Sequence, residues 1–246
     1  IGGAPGLEQR FVRAAIAESP DIVLERRFFN YRQPEQDIRE ALNSGKLDVI
    51  VLDDVDQLAL NQESWQAITD LVERGTGLMV LGGFHSFGPG GYRGLPLAAV
   101  LPIEIGFAER QNFNEPLRQD VHVASPAKMR PTNPLGQRHP IMQLATPSEG
   151  ATSNDEAWNE LPLLDGLNLF DRRRLKPNAL VLAESDDENQ YPLLIAGQSG
   201  AGRSLAFAGD STWRWPMHGF GVEHRRFWRQ CVLWLARKDR PTGSSA

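Results

Sequence analysis

The chain has 246 residues, 41% of them hydrophobic, and a formal net charge of −5. That length and apolar content suffice for one large α/β domain or two small ones with a real core, and the negative balance argues against a nucleic-acid partner. No apolar run approaches the roughly 20 residues of a membrane span, and the single cysteine, Cys231, excludes an internal disulfide and a cysteine-based zinc site.

IGG at residues 1–3 reads as the end of a strand. Residues 7–18, LEQRFVRAAIAE, carry Leu7, Phe11, Ala14 and Ala15 at helical spacing. DIVLERRFF (21–29) reads as a strand, and QPEQDIREALNSG (33–45) as a helix ended by Gly45. LDVIVLDD (47–54) is a continuous apolar strand of the buried parallel kind. Asn61 then caps a helix whose Trp65, Ile68, Leu71 and Val72 form one stripe, ended by Gly75. GLMVLGG (77–83) is the next buried strand. This alternation predicts an α/β fold with a doubly wound, mostly parallel sheet.

Residues 106–160 are polar and contain prolines, and predict an irregular insertion, with TPSEGATSNDEAWNE (146–160) as a flexible segment. Regular pattern returns in NALVLAES (178–185), YPLLIAGQ (191–198) and RSLAFAGD (203–210), three strands, the last two joined through SGAG as a hairpin. The final helix, about 223–237, places Phe227, Trp228, Cys231, Trp234 and Leu235 on one face, so Cys231 reads as a core residue. Residues 1–240 thus predict a single domain and 241–246 a disordered tail. The five histidines are scattered, and His218 and His224 miss the i, i+4 spacing of a helical metal pair, so no metal or cofactor is expected.

LMVLGGFHSFGPGGYRG (78–94) puts a glycine-rich loop after a buried strand. A phosphate-binding P-loop fails because Pro89 stands where lysine is needed after Gly83 and Gly88. The dinucleotide fingerprint fails because Arg93 replaces the third glycine after Gly88 and Gly90. A nucleophile elbow around Ser86 has Gly88 but Phe84 where the first glycine belongs. In an open parallel sheet, ligands bind outside the carboxyl ends of the strands. Asp53 and Asp54, the turn Gly82-Gly83 with Phe84, His85 and Ser86, and Asp210 all follow apolar strand-like runs. Together they predict a cleft, although each aspartate alone also suits a helix cap or a turn.

The stretch from Leu47 to Tyr92, with YPLLIAGQSGAGRSLAFAGDSTWRW and HRRFWRQCVLWLAR, resembles the class I glutamine amidotransferase-like domains of large bacterial membrane proteins. The opening IGGAPGLEQRFVRAAI is similar to their first strand and helix. The resemblance implies a flavodoxin-like fold and a membrane-anchored bacterial parent chain, often with a von Willebrand factor A-type region elsewhere, of which this piece is a soluble domain that does not itself span the membrane. Its start at Ile1 without methionine fits excision from a longer chain.

Active members of the wider superfamily use a Cys in a strand-to-helix elbow with a nearby His and Glu. Here the elbow Cys is missing, and His218, Glu223 and His224 do not form the usual tight pair. The Gly82-Gly83 turn resembles the strand end whose backbone N–H groups face a developing oxyanion. Two readings follow. One is a non-catalytic binding or interaction module for a small ligand or a protein partner. The other is a hydrolase with Ser86, or an Asp/His pair, in place of the thiol; a histidine within hydrogen-bond reach of Ser86 would favour it.

Overall fold

A computed structural model of the protein describes residues 1–3, 6–30, 32, 38–145 and 153–239. The elements run α1 (Leu7–Ala17), α2 (Arg39–Asn43), β1 (Val49–Asp53), α3 (Gln62–Arg74), β2 (Gly77–Leu81), β3 (His122–Val123), β4 (Met129–Pro131), α4 (Leu135–Arg138), α5 (Asn154–Glu160), β5 (Leu167–Asn168), β6 (Leu180–Ser185), β7 (Pro192–Ser199), β8 (Gly202–Phe207), α6 (Arg214–Met217) and α7 (Gly221–Leu235). Short 3-10 turns lie between them.

Six strands form the main sheet in the order β1-β2-β8-β7-β6-β4. β1, β2 and β8 are parallel, which fits the apolar runs that form them. The remaining pairs are antiparallel, so the sheet is mixed where the sequence pattern reads as mostly parallel. Connection length explains the change for β6–β7 and β7–β8. A parallel neighbour needs a crossover of a dozen or more residues, and the turn between Ser199 and Gly202 has no room for one. Beyond β1, Gly2 bridges in parallel to both Asp53 and Phe28, adding two single-bridge margins to the sheet. The strand expected over 21–29 shrinks to that one bridge, and Val23, 94% exposed, packs against nothing that would extend it.

Successive side chains of a strand point to opposite faces. In β8, a Cβ at Gly202 would meet the Val72 carbonyl of α3, while Arg203 donates to the Trp234 carbonyl of α7. α3 and α7 therefore cover opposite faces of the sheet. α3 starts as its sequence dictates: the Asn61 side chain accepts from Ser64 N at 2.9 Å, and Gly75 ends it at a φ of 127°. Trp65, Ile68 and Val72 are buried on its inner face. On α7 the buried stripe is Phe227, Trp228, Cys231 and Leu235.

α1 differs from its expected stripe. Leu7 is exposed, and the buried positions are Glu8, Val12, Ala15 and Ile16. The spacing is helical, but rotated by one residue, because a carboxylate occupies the first inward position. The middle of the chain is more regular than expected. β4 joins the main sheet against β6, and β3 pairs with β5 in a two-stranded ribbon. Within the segment expected to be flexible, Ser153 opens α5 with a reciprocal capping box to Glu156, and Trp158 is buried. Residues 146–152, most of the first half of the 33–45 helix and the 241–246 tail lie outside the described residues. Among the described residues no helix is long and apolar enough to cross a membrane.

Candidate functional site

The parallel strands β1, β2 and β8 end on one edge, where β2 leaves through Gly82 and Gly83. Gly82 N donates to Gly209 O at 3.2 Å, tying this exit to the one after β8. A Cβ on Gly82 would lie 2.2 Å from the Ala208 carbonyl, so no larger residue fits there. Gly83 has a φ of 138°, and its peptide is held on both sides by one side chain. Gly83 N donates to Asn168 Oδ1 at 2.8 Å, and Asn168 Nδ2 donates to Gly83 O at 3.1 Å. Asn168 N donates to Ala208 O at 2.8 Å, which fixes the β3–β5 ribbon across the strand ends.

Under this ribbon lies a cavity of about 300 Å³. Gly83, Phe84, His122, Asp165, Asn168 and Asp210 line it, with Leu117, Val123 and Leu167 on the apolar side. Phe84 is 57% exposed and forms the lip, tilted against the His122 ring at 6.2 Å between centroids. The His122 ring nitrogens face two carbonyls, Arg118 O at 3.1 Å and Gly83 O at 3.3 Å. Burial holds this imidazole below its ordinary pKa.

Of the residues expected in a cleft, Gly83, Phe84 and Asp210 line this cavity. Asp54 stands directly behind Gly83 in the left-handed region, φ 48°, a conformation aspartate tolerates better than most residues. Its Oδ1 accepts from His85 N at 2.7 Å. Asp53 lies on the other side of the β1 end and lines a smaller cavity of about 80 Å³ beneath α1, with Gln9, Val12 and Ile16. His85 turns away and stacks on Phe113 at 4.2 Å. Ser86 is fully buried, and its Oγ makes no hydrogen bond to a histidine.

Acidic groups gather behind the strand ends. Glu8 is buried in the first turn of α1, where Thr212 Oγ1 donates to Oε1 at 2.6 Å and Trp213 N to Oε2 at 2.8 Å. Thr212 Oγ1 also accepts from Trp228 Nε1 at 3.0 Å and lies 3.1 Å from His224 Nε2. While Glu8 is ionised and takes the one hydroxyl proton, His224 meets that oxygen with its proton on Nε2. Burial holds that imidazole down to about 4, so it is neutral. Burial, with Asp210 nearby, pushes the Glu8 carboxyl up to about 7. Asp54 is likewise pushed up to about 7, chiefly by burial and then by Asp210 and Asp56. Asp53 is raised by burial and by Glu8, Asp54 and Asp210. Asp210 is raised by burial and then by Asp165.

Counter-charges are unevenly placed. Arg110 forms a two-nitrogen ion pair with buried Asp56 and donates to Pro89 O at 3.0 Å, clamping the glycine loop to the β1 end. Arg214 pairs with Asp165 at 2.5 Å. No ion pair reaches Asp210 among the described residues. Nor do the described residues hold a cluster of three or more His, Cys, Asp or Glu fit for a metal ion. Cys231 is fully buried on α7, far out of reach of the rim, and burial pushes its thiol up.

His122, Asp165 and Asn168 escaped the reading of strand ends, since they come from the polar middle and the segment after it. The alternation in GLNLF (166–170) was the available signal for a strand at Asn168.

No curated protein is similar enough in sequence to count as a relative. Among solved structures, the "Cytoplasmic Protein STM1381" from Salmonella typhimurium LT2 is similar, with a TM-score of 0.66 and 21% identity over 94% of this chain and 88% of that one. The "Cytoplasmic Protein STM3548" from Salmonella typhimurium gives 0.63 and 18% over 92% and 85%. A "Putative thua-like protein" from Parabacteroides merdae gives 0.57 and 11% over 99% and 90%. At such identities these likenesses carry the fold alone, an α/β arrangement. The sequence pattern of one family, described as "Putative glutamine amidotransferase" (GATase1_like), matches residues 48–237, more than half of the chain, and the protein belongs to that family.

Proposed function

We propose that this chain is a non-catalytic binding domain on the amidotransferase scaffold, with its ligand in the cavity beneath the β3–β5 ribbon. One observation carries the reading: the two amides of the Gly82-Gly83 turn, the ones that would stabilise an oxyanion, are already engaged, and so is that of His85. Gly82 N is taken by Gly209 O, Gly83 N by Asn168 Oδ1 and His85 N by Asp54 Oδ1. An oxyanion site needs donors aimed at empty space where charge will develop. The burial of Ser86 and Cys231 supports the same reading, since a nucleophile must reach substrate. The ligand is a small molecule or a segment of a protein partner, and nucleic acid is disfavoured by the charge balance. Resemblance to domains of bacterial membrane proteins extends the proposal to a membrane-anchored parent chain.

The test is to incubate the purified domain with glutamine and assay ammonia, beside Cys231→Ala and Ser86→Ala variants. The expected result is release at the buffer rate in all three. Release well above that rate, abolished by either substitution, would overturn the non-catalytic reading and name the nucleophile.

A further inference from the structure

The cavity at the strand ends has a one-sided charge. Two carboxylates, Asp165 and Asp210, stand in its wall, and neither lysine nor arginine lines it. Arg214 already neutralises Asp165. Asp210 has no such partner among the described residues, and the further carboxylates that feel its charge, Glu8, Asp53 and Asp54, carry the same sign. The remaining polar walls are spent internally: both ends of the Asn168 amide hold Gly83, and both His122 nitrogens face carbonyls. The opposite wall is apolar, from Leu117, Val123 and Leu167, and an exposed aromatic ring, Phe84, stands at the mouth.

An anionic ligand would meet an unneutralised carboxylate and no cation. A glutamine molecule, whose α-carboxylate normally requires a basic partner, is poorly matched for that reason. A neutral polyol would find few free donors. A compact organic cation satisfies each wall: its charge pairs with Asp210, its alkyl body covers the leucines and valine, and the face of Phe84 attracts it at entry.

Resting on the binding reading above, we propose that this cavity binds a small alkylammonium ligand, with Asp210 as its counter-ion and Phe84 as its aromatic lip. The test uses three probes of one shape and three charges, n-butylammonium, butyramide and butyrate, titrated at about pH 8 into the isotopically labelled domain. Amide and side-chain NMR shifts of Gly83, His122 and Asn168 report occupancy. Saturable shifts with n-butylammonium alone are expected. Asp210→Asn is expected to weaken that binding by about tenfold or more, as loss of a desolvated charge pair does. Phe84→Ala changes an exposed residue, so the fold is kept, and is expected to weaken binding by about fivefold, the share of one cation–π contact. If butyramide or butyrate binds as well as the cation, or Asp210→Asn leaves binding unchanged, the cation proposal is overturned while the binding-domain reading stands. If none of the probes shifts these resonances, the cation proposal is overturned, and the binding-domain reading is decided separately by the ammonia assay.

Discussion

Glu8 shows how one carboxyl group sets a pH dependence. In the folded chain it titrates near 7 against 4.5 for an ordinary glutamic acid, because burial disfavours its charge. The folded state thus holds its proton to higher pH than the unfolded state does. The stabilisation is complete below the ordinary value and is lost as pH rises through about 7. Asp54, also near 7, adds in the same direction. Glu8 and Asp54 therefore each favour the fold at pH 5 over pH 8 by about 1–3 kcal/mol, while the buried neutral imidazoles of His139 and His224, held down to about 4, act in the opposite direction. Urea unfolding of the wild type and of Glu8→Gln at the two values isolates the Glu8 share: the substitution is expected to move the pH 5 to pH 8 stability difference by about 1–3 kcal/mol in favour of pH 8, and an unchanged difference would contradict the assignment.

The β3–β5 ribbon is the element on which the cavity depends. Its Asn168, 3% exposed, holds both polar groups of the Gly83 peptide. Asn168→Ala leaves the part-buried Gly83 N–H without its acceptor, and a loss of about 1–2 kcal/mol is expected in chemical unfolding. A change under half a unit on that scale would mean that the ribbon does not pin the turn. This ribbon was also the hardest element to read from sequence. α3 was legible because its cap, its stripe and its terminal glycine agree, and β1 and β2 because continuous apolar runs have few other uses. β3 and β5 span two residues each, so the brief alternation around Asn168 is their one periodic signal, and β4 contains a proline. The α1 stripe was misjudged by one residue because hydrophobicity ranks Leu7 above Glu8, whereas hydrogen bonds to Thr212 and Trp213 draw Glu8 inward. The strand ends were legible as a rim. The residues that roof the cavity were not, since only tertiary folding brings residues 117–124 and 165–168 over them.

At the scale of the whole molecule, β8 is the joint between two kinds of sheet. It runs parallel to β2 and antiparallel to β7, and Leu205, Ala206 and Phe207 are wholly buried. β2 is buried along its entire length. Opening either strand exposes both halves of the sheet at once. Hydrogen exchange is expected to be slowest in β2 and β8, approaching the global unfolding limit, and fast over residues 22–27, where only single bridges hold the margin. Comparable protection in the margin and in β8 would contradict the two-sided sheet.

The bond from Thr212 to Glu8 joins residues 204 positions apart. β2 waits in the same way for β8, with Leu78 opposite Ser204. During synthesis, α1 therefore emerges with a carboxylate whose partners do not yet exist, and β2 with one edge unpaired. The first three-quarters of the chain cannot close its own core until β8 and α7 have left the ribosome. Folding of this domain thus waits until its last strand and helix have been made, and its exposed β2 edge in the interval is where a chaperone would find it.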